Sequence, residues 1–206
     1  MENPQSGVEL TPAMSRVFDQ NEAQKANQDE TGSLPRLDEF KDAIELMFFA
    51  YRDFISDPDL ILSKHDFGRA HHRVLHFVGC NPGMSIAELL EILQITKQSL
   101  ARVLRDLIDN DYIRQQIGDS DRRKRLLFLT AKGRNLHTDL ISPQIERFLS
   151  IFSEIDPEEF NMWKRVMRLI ISAPNREAVD RLMASARKET SYPGAIHLMR
   201  PDDEPA

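Results

Sequence analysis

The stretch TKQSLARVLRDLIDNDYIRQQIGDSDRRKRLLFLTAKG, residues 96–133, decides the fold. Thr96 is a preferred helix N-cap residue, and apolar residues follow it at spacings of three and four. These residues are Leu100, Val103, Leu104, Leu107 and Ile108. The pattern predicts a helix over Lys97–Asp109 with one buried face.

The second half of this stretch changes period. Tyr112–Ile117 and Arg125–Thr130 are each rich in residues that favour strands. The turn-forming run between them, residues 118–121, predicts a tight connection. We therefore expect a β-hairpin directly after the helix.

A second short helix is predicted before Thr96. Ser85 is a plausible N-cap, and Glu88 three residues later completes a capping box for a helix that ends at Leu93. Upstream of it, a helix over roughly Phe67–Val78 ends at the breaker-rich residues 80–83. Two short helices across a tight turn, followed by a hairpin, predict a winged helix-turn-helix.

Long amphipathic helices are predicted on both sides of this module. From Leu37 onwards apolar residues recur at helical spacing, and Pro58 is expected to end that helix. Three more helical patterns follow Thr130. Their apolar faces exceed what the central module can cover, so we expect a two-fold homodimer of a mainly α-helical protein with a small β-wing.

The predicted domain organisation has five parts. They are a disordered acidic and polar tail at 1–36, an N-terminal dimerisation helix at 37–60, a winged helix-turn-helix DNA-binding lobe at 61–130, C-terminal dimerisation helices at 131–186 and a flexible tail at 187–206.

Charge is distributed unevenly along the 206 residues. The net charge is −6, but residues 1–60 carry −8 and the remainder carries +2. A basic surface can therefore lie behind an acidic tail. No stretch has the roughly 20 apolar residues that span a bilayer, and residues 1–20 lack a signal-peptide pattern, so we expect a cytoplasmic protein without membrane contact.

The candidate DNA-reading residues lie at the start of the helix predicted over Lys97–Asp109 and on the hairpin. The recognition-helix candidates are Thr96, Lys97, Gln98, Ser99 and Arg102, whose polar groups suit base edges and phosphates. The wing candidates are Asp121, Arg122, Arg123, Lys124 and Arg125, where the cations suit a narrow minor groove. We hypothesise that Asp121 pairs with Arg123 and orients its guanidinium.

The order of these helices, with Asp121-Arg122-Arg123 in the wing and Leu129-Thr130-Ala131-Lys132-Gly133 after it, resembles the MarR family. The resemblance covers roughly residues 37–172, and the run at 69–76 is similar to the PetP branch. Asn110 and Asp111 stand where the family usually has glycine, and both tolerate left-handed backbone. The resemblance implies a homodimer held by its first and last helices, most often a repressor, and a small-molecule effector as a possible further partner.

Other readings remain open at this point. His65, His71, His72 and His76 cluster in sequence, and His72 with His76 could chelate a metal, but we find no cysteine or acidic partner at matching spacing and expect neither a metal nor a cofactor. The single cysteine, Cys80, excludes an internal disulfide, and we expect it to exclude a cysteine-based zinc site within one chain as well. We expect a buried structural thiol rather than a redox switch.

No enzyme motif is present. The sequence has no glycine-rich phosphate loop, nucleophile motif or metal triad, so we expect no catalytic residues. The alternative function is a winged-helix module that binds protein instead of specific DNA, or a sensor that responds to redox state or ligand through Cys80 or the histidines. Mutation of Arg122 and Arg123 distinguishes the two functions, because a protein-interaction module would tolerate their loss and a DNA-binding regulator would not.

Overall fold

The computed structural model describes residues 37–118 and 124–188, and side chains up to residue 184. The elements in this part of the chain are α1 Leu37–Ser63, α2 Arg69–Cys80, α3 Ile86–Leu93, α4 Lys97–Asp109, β1 Ile113–Ile117, β2 Arg125–Leu129, α5 Ala131–Ile151, α6 Pro157–Ile170 and α7 Ala173–Lys188. The predicted tail at 1–36, the predicted tail beyond residue 188 and the hairpin residues 119–123 lie outside the described residues.

The chain divides into two units, residues 1–47 and residues 48–206. The described part of the first unit is the beginning of α1, an amphipathic stretch that carries exposed apolar side chains. These are Phe40, Ile44, Leu46 and Met47. The second unit contains the rest of α1 and every other element described.

The expectation that Pro58 ends the first helix is wrong, because α1 continues through it to Ser63. A proline inside a helix loses one backbone hydrogen bond and costs about 3 kcal/mol. Burial opposes that cost here, since Pro58 is fully buried and Leu62, one turn later, is 0% exposed. The helix ends instead at a turn in which the Phe67 amide donates to the Leu62 carbonyl at 3.1 Å.

One hydrophobic core joins the end of α1, the three helices of the lobe, the hairpin and the start of α5. Its fully buried members come from different elements: Leu62, Leu75, Leu89, Leu107, Leu127 and Leu140. Because one core holds the helix-turn-helix and the hairpin, the position of α4 relative to the wing is determined by packing.

The wing is a two-stranded antiparallel sheet that gains a third, short partner. β1 pairs with β2 in the register Ile113 opposite Leu129. The segment before α3 then adds to β2, because the Gly83 amide donates to the Leu127 carbonyl at 2.8 Å and the Leu127 amide donates to the Met84 carbonyl at 2.9 Å. The hairpin is thereby attached to the start of the helix-turn-helix.

The C-terminal helices carry most of the remaining exposed apolar surface. α6 has no buried residue, although it is strongly amphipathic. Its exposed apolar side chains are Met162, Trp163, Val166, Leu169 and Ile170. None of the described helices is both long enough and apolar enough to cross a membrane.

Candidate nucleic-acid interface

The N-terminus of α4 is built by a capping interaction, as the sequence predicts. The Thr96 Oγ1 accepts a hydrogen bond from the Ser99 amide at 3.1 Å and donates to the Ser99 Oγ at 2.9 Å. Two of the five recognition-helix candidates therefore hold the first turn in place. The unpaired amides of this turn form the positive end of the helix dipole.

The opposite face of α4 fixes its rotation about its own axis. Leu100, Val103, Leu104 and Leu107 are buried, the first at 1% exposure. Lys97, Gln98 and Arg102 consequently point to solvent, and Thr96 and Ser99 are also exposed. All five predicted recognition-helix residues are thus accessible to solvent.

α3 and the turn after it position α4. The predicted capping box is present: the Ser85 amide donates to a Glu88 carboxylate oxygen at 2.7 Å, and the Glu88 amide donates to the Ser85 Oγ at 3.3 Å. The hydrogen bonds from Ser85 are the main cause of a lowered Glu88 pKa, to which the positive charge of Lys124 also contributes. α3 ends at Gln94, whose left-handed φ of 51° makes the turn into α4.

The wing candidates fall into two groups. Lys124 and Arg125 are exposed at the start of β2, at the end of the hairpin nearest the turn. Asp121, Arg122 and Arg123 lie outside the described residues, so the pairing of Asp121 with Arg123 stays a hypothesis. Lys97 of α4 lines the same open cleft as Lys124 and Arg125, a space of about 660 Å³ between α3, α4 and the hairpin. The structure therefore brings cations from the recognition helix and the wing together around one cleft.

A third cation on the hairpin is held by an aromatic ring. The Arg114 guanidinium carbon lies 4.6 Å from the centre of the Phe128 ring, across the β1–β2 pair. Arg114 remains exposed, so this contact orients the side chain while its charge stays accessible.

The exit from the wing is tied to the end of α4. The Thr130 hydroxyl donates to the Asp111 carbonyl at 2.6 Å and accepts from the Gly133 amide at 3.0 Å, which caps α5. The Lys132 ammonium donates to the Asn110 carbonyl at 2.9 Å. Asp111 has a φ of 60°, so one of the two residues that replace the family's usual glycine does adopt the left-handed conformation.

Two of the predicted histidine candidates make structural contacts. The His71 Nδ1 accepts from the Gly68 amide at 3.1 Å at the start of α2, and its Nε2 lies 3.3 Å from a carboxylate oxygen of Asp106 on α4. The His65 Nδ1 lies 3.1 Å from the Tyr112 hydroxyl. Both contacts position elements of the lobe, as expected for ordinary polar packing.

The surroundings of His76 correct the expectation that the histidines have no cysteine partner at matching spacing. Cys80 does have a partner at matching spacing, since its Sγ lies 3.8 Å from the His76 Nε2 one helical turn earlier. His137 of α5, which the sequence analysis did not single out, joins them, and one potential ligand atom from each residue lies within 4.8 Å of the others. Cys80 is half-buried rather than fully buried. No sequence spacing could have found His137, because its approach depends on the packing of α5 against α2.

Sequence comparison places this chain in a family. The profile of the MarR family matches residues 65–124, from the residues before α2 to the residue before β2. The HTH-type transcriptional regulator PetP of Rhodobacter capsulatus is 40% identical over 139 residues, which are 68% of this chain and 84% of that protein. This chain belongs to the MarR family of winged helix-turn-helix transcriptional regulators. The HTH-type regulator SAV2265 of Staphylococcus aureus is 28% identical over 87 residues, 42% of this chain and 60% of that protein.

Solved structures confirm the winged-helix fold. A point mutant of MepR from a multidrug-resistant S. aureus clinical isolate has a TM-score of 0.55 and 20% identity, and the match covers 64% of this chain and 96% of that one. FabT of Streptococcus pneumoniae, solved in complex with DNA, has a TM-score of 0.56 and 18% identity, with 64% and 94% covered. Both sequence relatives named above are HTH-type transcriptional regulators.

Proposed function

We propose that this chain is a repressor that binds double-stranded DNA sequence-specifically, as a homodimer on a pseudo-palindromic operator. The observation that carries the proposal is the exposed polar first turn of α4, from which Lys97 lines the same cleft as the cations at the start of β2. The repressor role rests on family membership alone. DNA binding is supported by the geometry of α4 and the wing, and the homodimer by the exposed apolar side chains of α6.

α4 is the element that reads the major groove in this proposal. The Gln98 amide can pair with adenine, and Arg102 and Lys97 can pair with guanine or with phosphate. The Thr96 and Ser99 hydroxyls lie beside the amides of the first turn, where a phosphate is favoured by the helix dipole. Because the Leu100 face is buried, the polar face of α4 has one orientation in which to meet the DNA.

The wing supplies charge beside that groove. Lys124 and Arg125 lie at the start of β2, and Arg122 and Arg123 directly precede them in the sequence. Arginine side chains favour a narrow minor groove, where the negative potential is strongest. The wing therefore binds mainly through charge and groove shape, whereas α4 distinguishes sequences.

The homodimer is supported by large apolar side chains that are exposed to solvent in the single chain. α6 exposes five large apolar side chains and buries none. An exposed apolar surface of this kind is typical of an interface. A two-fold pair presents two α4 helices to successive major grooves, about 34–36 Å apart, which matches a pseudo-palindrome.

A small-molecule effector would act on the separation of the two α4 helices. An effector shifts the protein only if it binds one separation more tightly than the other. A change in this separation would pass through α5, because its N-cap, Thr130, lies beside the wing and its other end leads to the exposed C-terminal helices.

The experiment compares binding to the protein's own promoter region and to scrambled DNA across a salt series. The variants are wild type, Arg122→Ala with Arg123→Ala, and a control pair, Lys164→Ala with Arg165→Ala, which removes the same charge from α6. Fluorescence anisotropy gives the affinity, and sedimentation gives the mass of each variant. A β-galactosidase reporter behind the same promoter reads the direction of regulation.

Tight binding that prefers the promoter, falls steeply with salt and weakens only in the Arg122 and Arg123 variant is the expected result. Equal, weak binding of all duplexes by wild type and variants would contradict DNA-specific regulation. That outcome would favour a winged-helix module that binds a protein partner. Higher reporter expression in the presence of the regulator would contradict repression.

A further inference from the structure

A cluster of three potential metal ligands lies on the side of the lobe where α2 meets α5. His76 and Cys80 are one helical turn apart on α2, and His137 comes from the second turn of α5. One nitrogen or sulfur atom from each lies within 4.8 Å of the others. None of these residues belongs to the proposed DNA-reading surface, which leaves their grouping unexplained by DNA binding.

His137 is the most buried member of the cluster. The residue is 7% exposed, and its Nε2 is buried with no hydrogen-bond partner among the residues that the structure describes. A buried polar atom left unsatisfied costs about 1–3 kcal/mol, so such atoms in native proteins generally have a partner or an ion. His137 therefore has a buried ring nitrogen with hydrogen-bonding capacity to spare, on a residue that lies close to a thiol and a second imidazole.

The main chain makes room for the His137 ring. A Cβ on Gly79 would lie 2.8 Å from the His137 Nδ1 and Cε1 atoms, so any side chain larger than hydrogen at position 79 would displace the ring. Gly79 directly precedes Cys80, and the close approach of α5 to α2 at this point therefore sets the position of His137 beside the thiol.

We propose that His76, Cys80 and His137 bind one Zn²⁺ ion, with solvent as the fourth ligand. Zinc accepts imidazole nitrogen at about 2.0–2.1 Å and thiolate sulfur at about 2.3 Å, which places ligand atoms roughly 3.3–3.7 Å apart in a tetrahedron. The Cys80 Sγ and the His76 Nε2, at 3.8 Å, are already near this distance. Small side-chain rotations bring in His137.

The donor set selects the ion. A thiolate with two imidazoles favours zinc and other thiophilic ions over magnesium or calcium, which prefer oxygen ligands. Binding breaks the S–H bond of Cys80, releases its proton to solvent and forms the sulfur–zinc bond without a change of oxidation state. The bound ion then links α2 to α5, and with it the core of the lobe to the helix that leads away from the wing.

The test is a cobalt titration of the full chain after removal of metals with a chelator. Cobalt substitutes for zinc and reports a thiolate ligand through a near-ultraviolet charge-transfer band. We expect one ion per chain, with that band present in wild type and absent from Cys80→Ser, a variant that changes a single atom. His76→Asn and His137→Asn should weaken binding at least about 10-fold. His65→Ala, which removes a histidine outside the cluster, should bind as wild type does.

Zinc binding is then measured by displacement of cobalt and by thermal unfolding. Zinc should raise the Tm of wild type and His65→Ala but leave that of Cys80→Ser unchanged, because a ligand stabilises only the folded state that binds it. A cobalt complex without the thiolate band, or equal zinc affinity in wild type and Cys80→Ser, would overturn the proposal. No DNA is present, so the result is independent of the proposed DNA binding.

Discussion

The backbone carbonyl oxygen of Tyr112 occupies the space where a side chain at position 133 would begin. A Cβ on Gly133 would lie 2.0 Å from that oxygen, far inside van der Waals contact. The first turn of α5 can pass this close to the start of β1 only because residue 133 is glycine. The glycine of the Leu129–Gly133 motif is thus explained by packing between two elements rather than by a turn.

Gly133→Ala should destabilise the protein by about 3 kcal/mol, because either Tyr112 or α5 must move to admit the methyl group. Urea unfolding followed by circular dichroism measures the loss. Gly68→Ala is the matched control, since a Cβ there meets no atom within 4 Å. If the Gly133→Ala protein were as stable as the Gly68→Ala protein, the close approach of Tyr112 would not require glycine at position 133.

Glu88→Ala should destabilise the lobe at pH 7 by about 0.5–1 kcal/mol, because the capping box with Ser85 is lost from a largely solvated site. Hydrogen bonds from Ser85 lower the Glu88 pKa in the folded state. A lowered carboxyl pKa stabilises the fold above the unfolded value, near 4.3, and this contribution is lost as the pH falls through the folded value. The difference in Tm between wild type and Glu88→Ala should therefore shrink in acid. Glu88→Gln keeps the hydrogen-bond acceptor but not the charge, so its Tm should depend less on pH between neutral and acidic conditions than the Tm of wild type does. A Tm difference between wild type and Glu88→Ala that grew in acid would contradict the role given to the Glu88 carboxylate.

Lys97→Ala and Gln98→Ala should weaken DNA binding in different ways. Loss of the Lys97 charge should reduce affinity for all duplexes alike and lower the salt slope by about 1. Loss of the Gln98 amide should cost about 1–3 kcal/mol on the operator and relax the preference for one base pair. Anisotropy titrations against operators substituted at single positions separate the two effects. Identical losses in both variants would mean that α4 contacts only phosphates.

Val166→Asp combined with Leu169→Asp should convert a dimer into a monomer, because two charges would enter an apolar interface on α6. Sedimentation equilibrium should then give the 23.8 kDa of one chain instead of twice that mass. Operator affinity should fall as well, since one half-site is lost. Ile117→Asp places the same charge at an exposed apolar position on β1 and should leave the mass unchanged. A double variant that still sedimented as a dimer would place the interface elsewhere.

The features that sequence predicted well are those decided by neighbouring residues. Ser85 and Thr96 are the N-caps of α3 and α4, as the sequence predicts, and α4 spans Lys97–Asp109, the bounds expected from its apolar residues. The two strands differ from their predicted bounds only at single end residues, Tyr112 and Thr130. Local hydrogen bonds and periodicity determine such features, and one chain segment is enough to reveal them.

The features that sequence could not predict depend on contacts between distant segments. Pro58 stays inside α1 because residues around it are buried against other elements, and tertiary burial overrides the local preference. His137 lies beside Cys80 because α5 packs on α2. The role of Gly133 depends likewise on the position of Tyr112, which only the folded chain reveals.

The pairing of residues 83–85 with β2 bears on the spacing between operator half-sites. The wing is hydrogen-bonded to the start of α3 on one side and to the residue after α4's cap through Thr130 on the other, so α4 and the wing of one chain are held in one arrangement. One extra base pair between two half-sites would shift the second by about 3.4 Å and turn it by about 35°. In the proposed dimer, movement between subunits would then have to follow that change, and we expect the length of the spacer to be selected together with the bases.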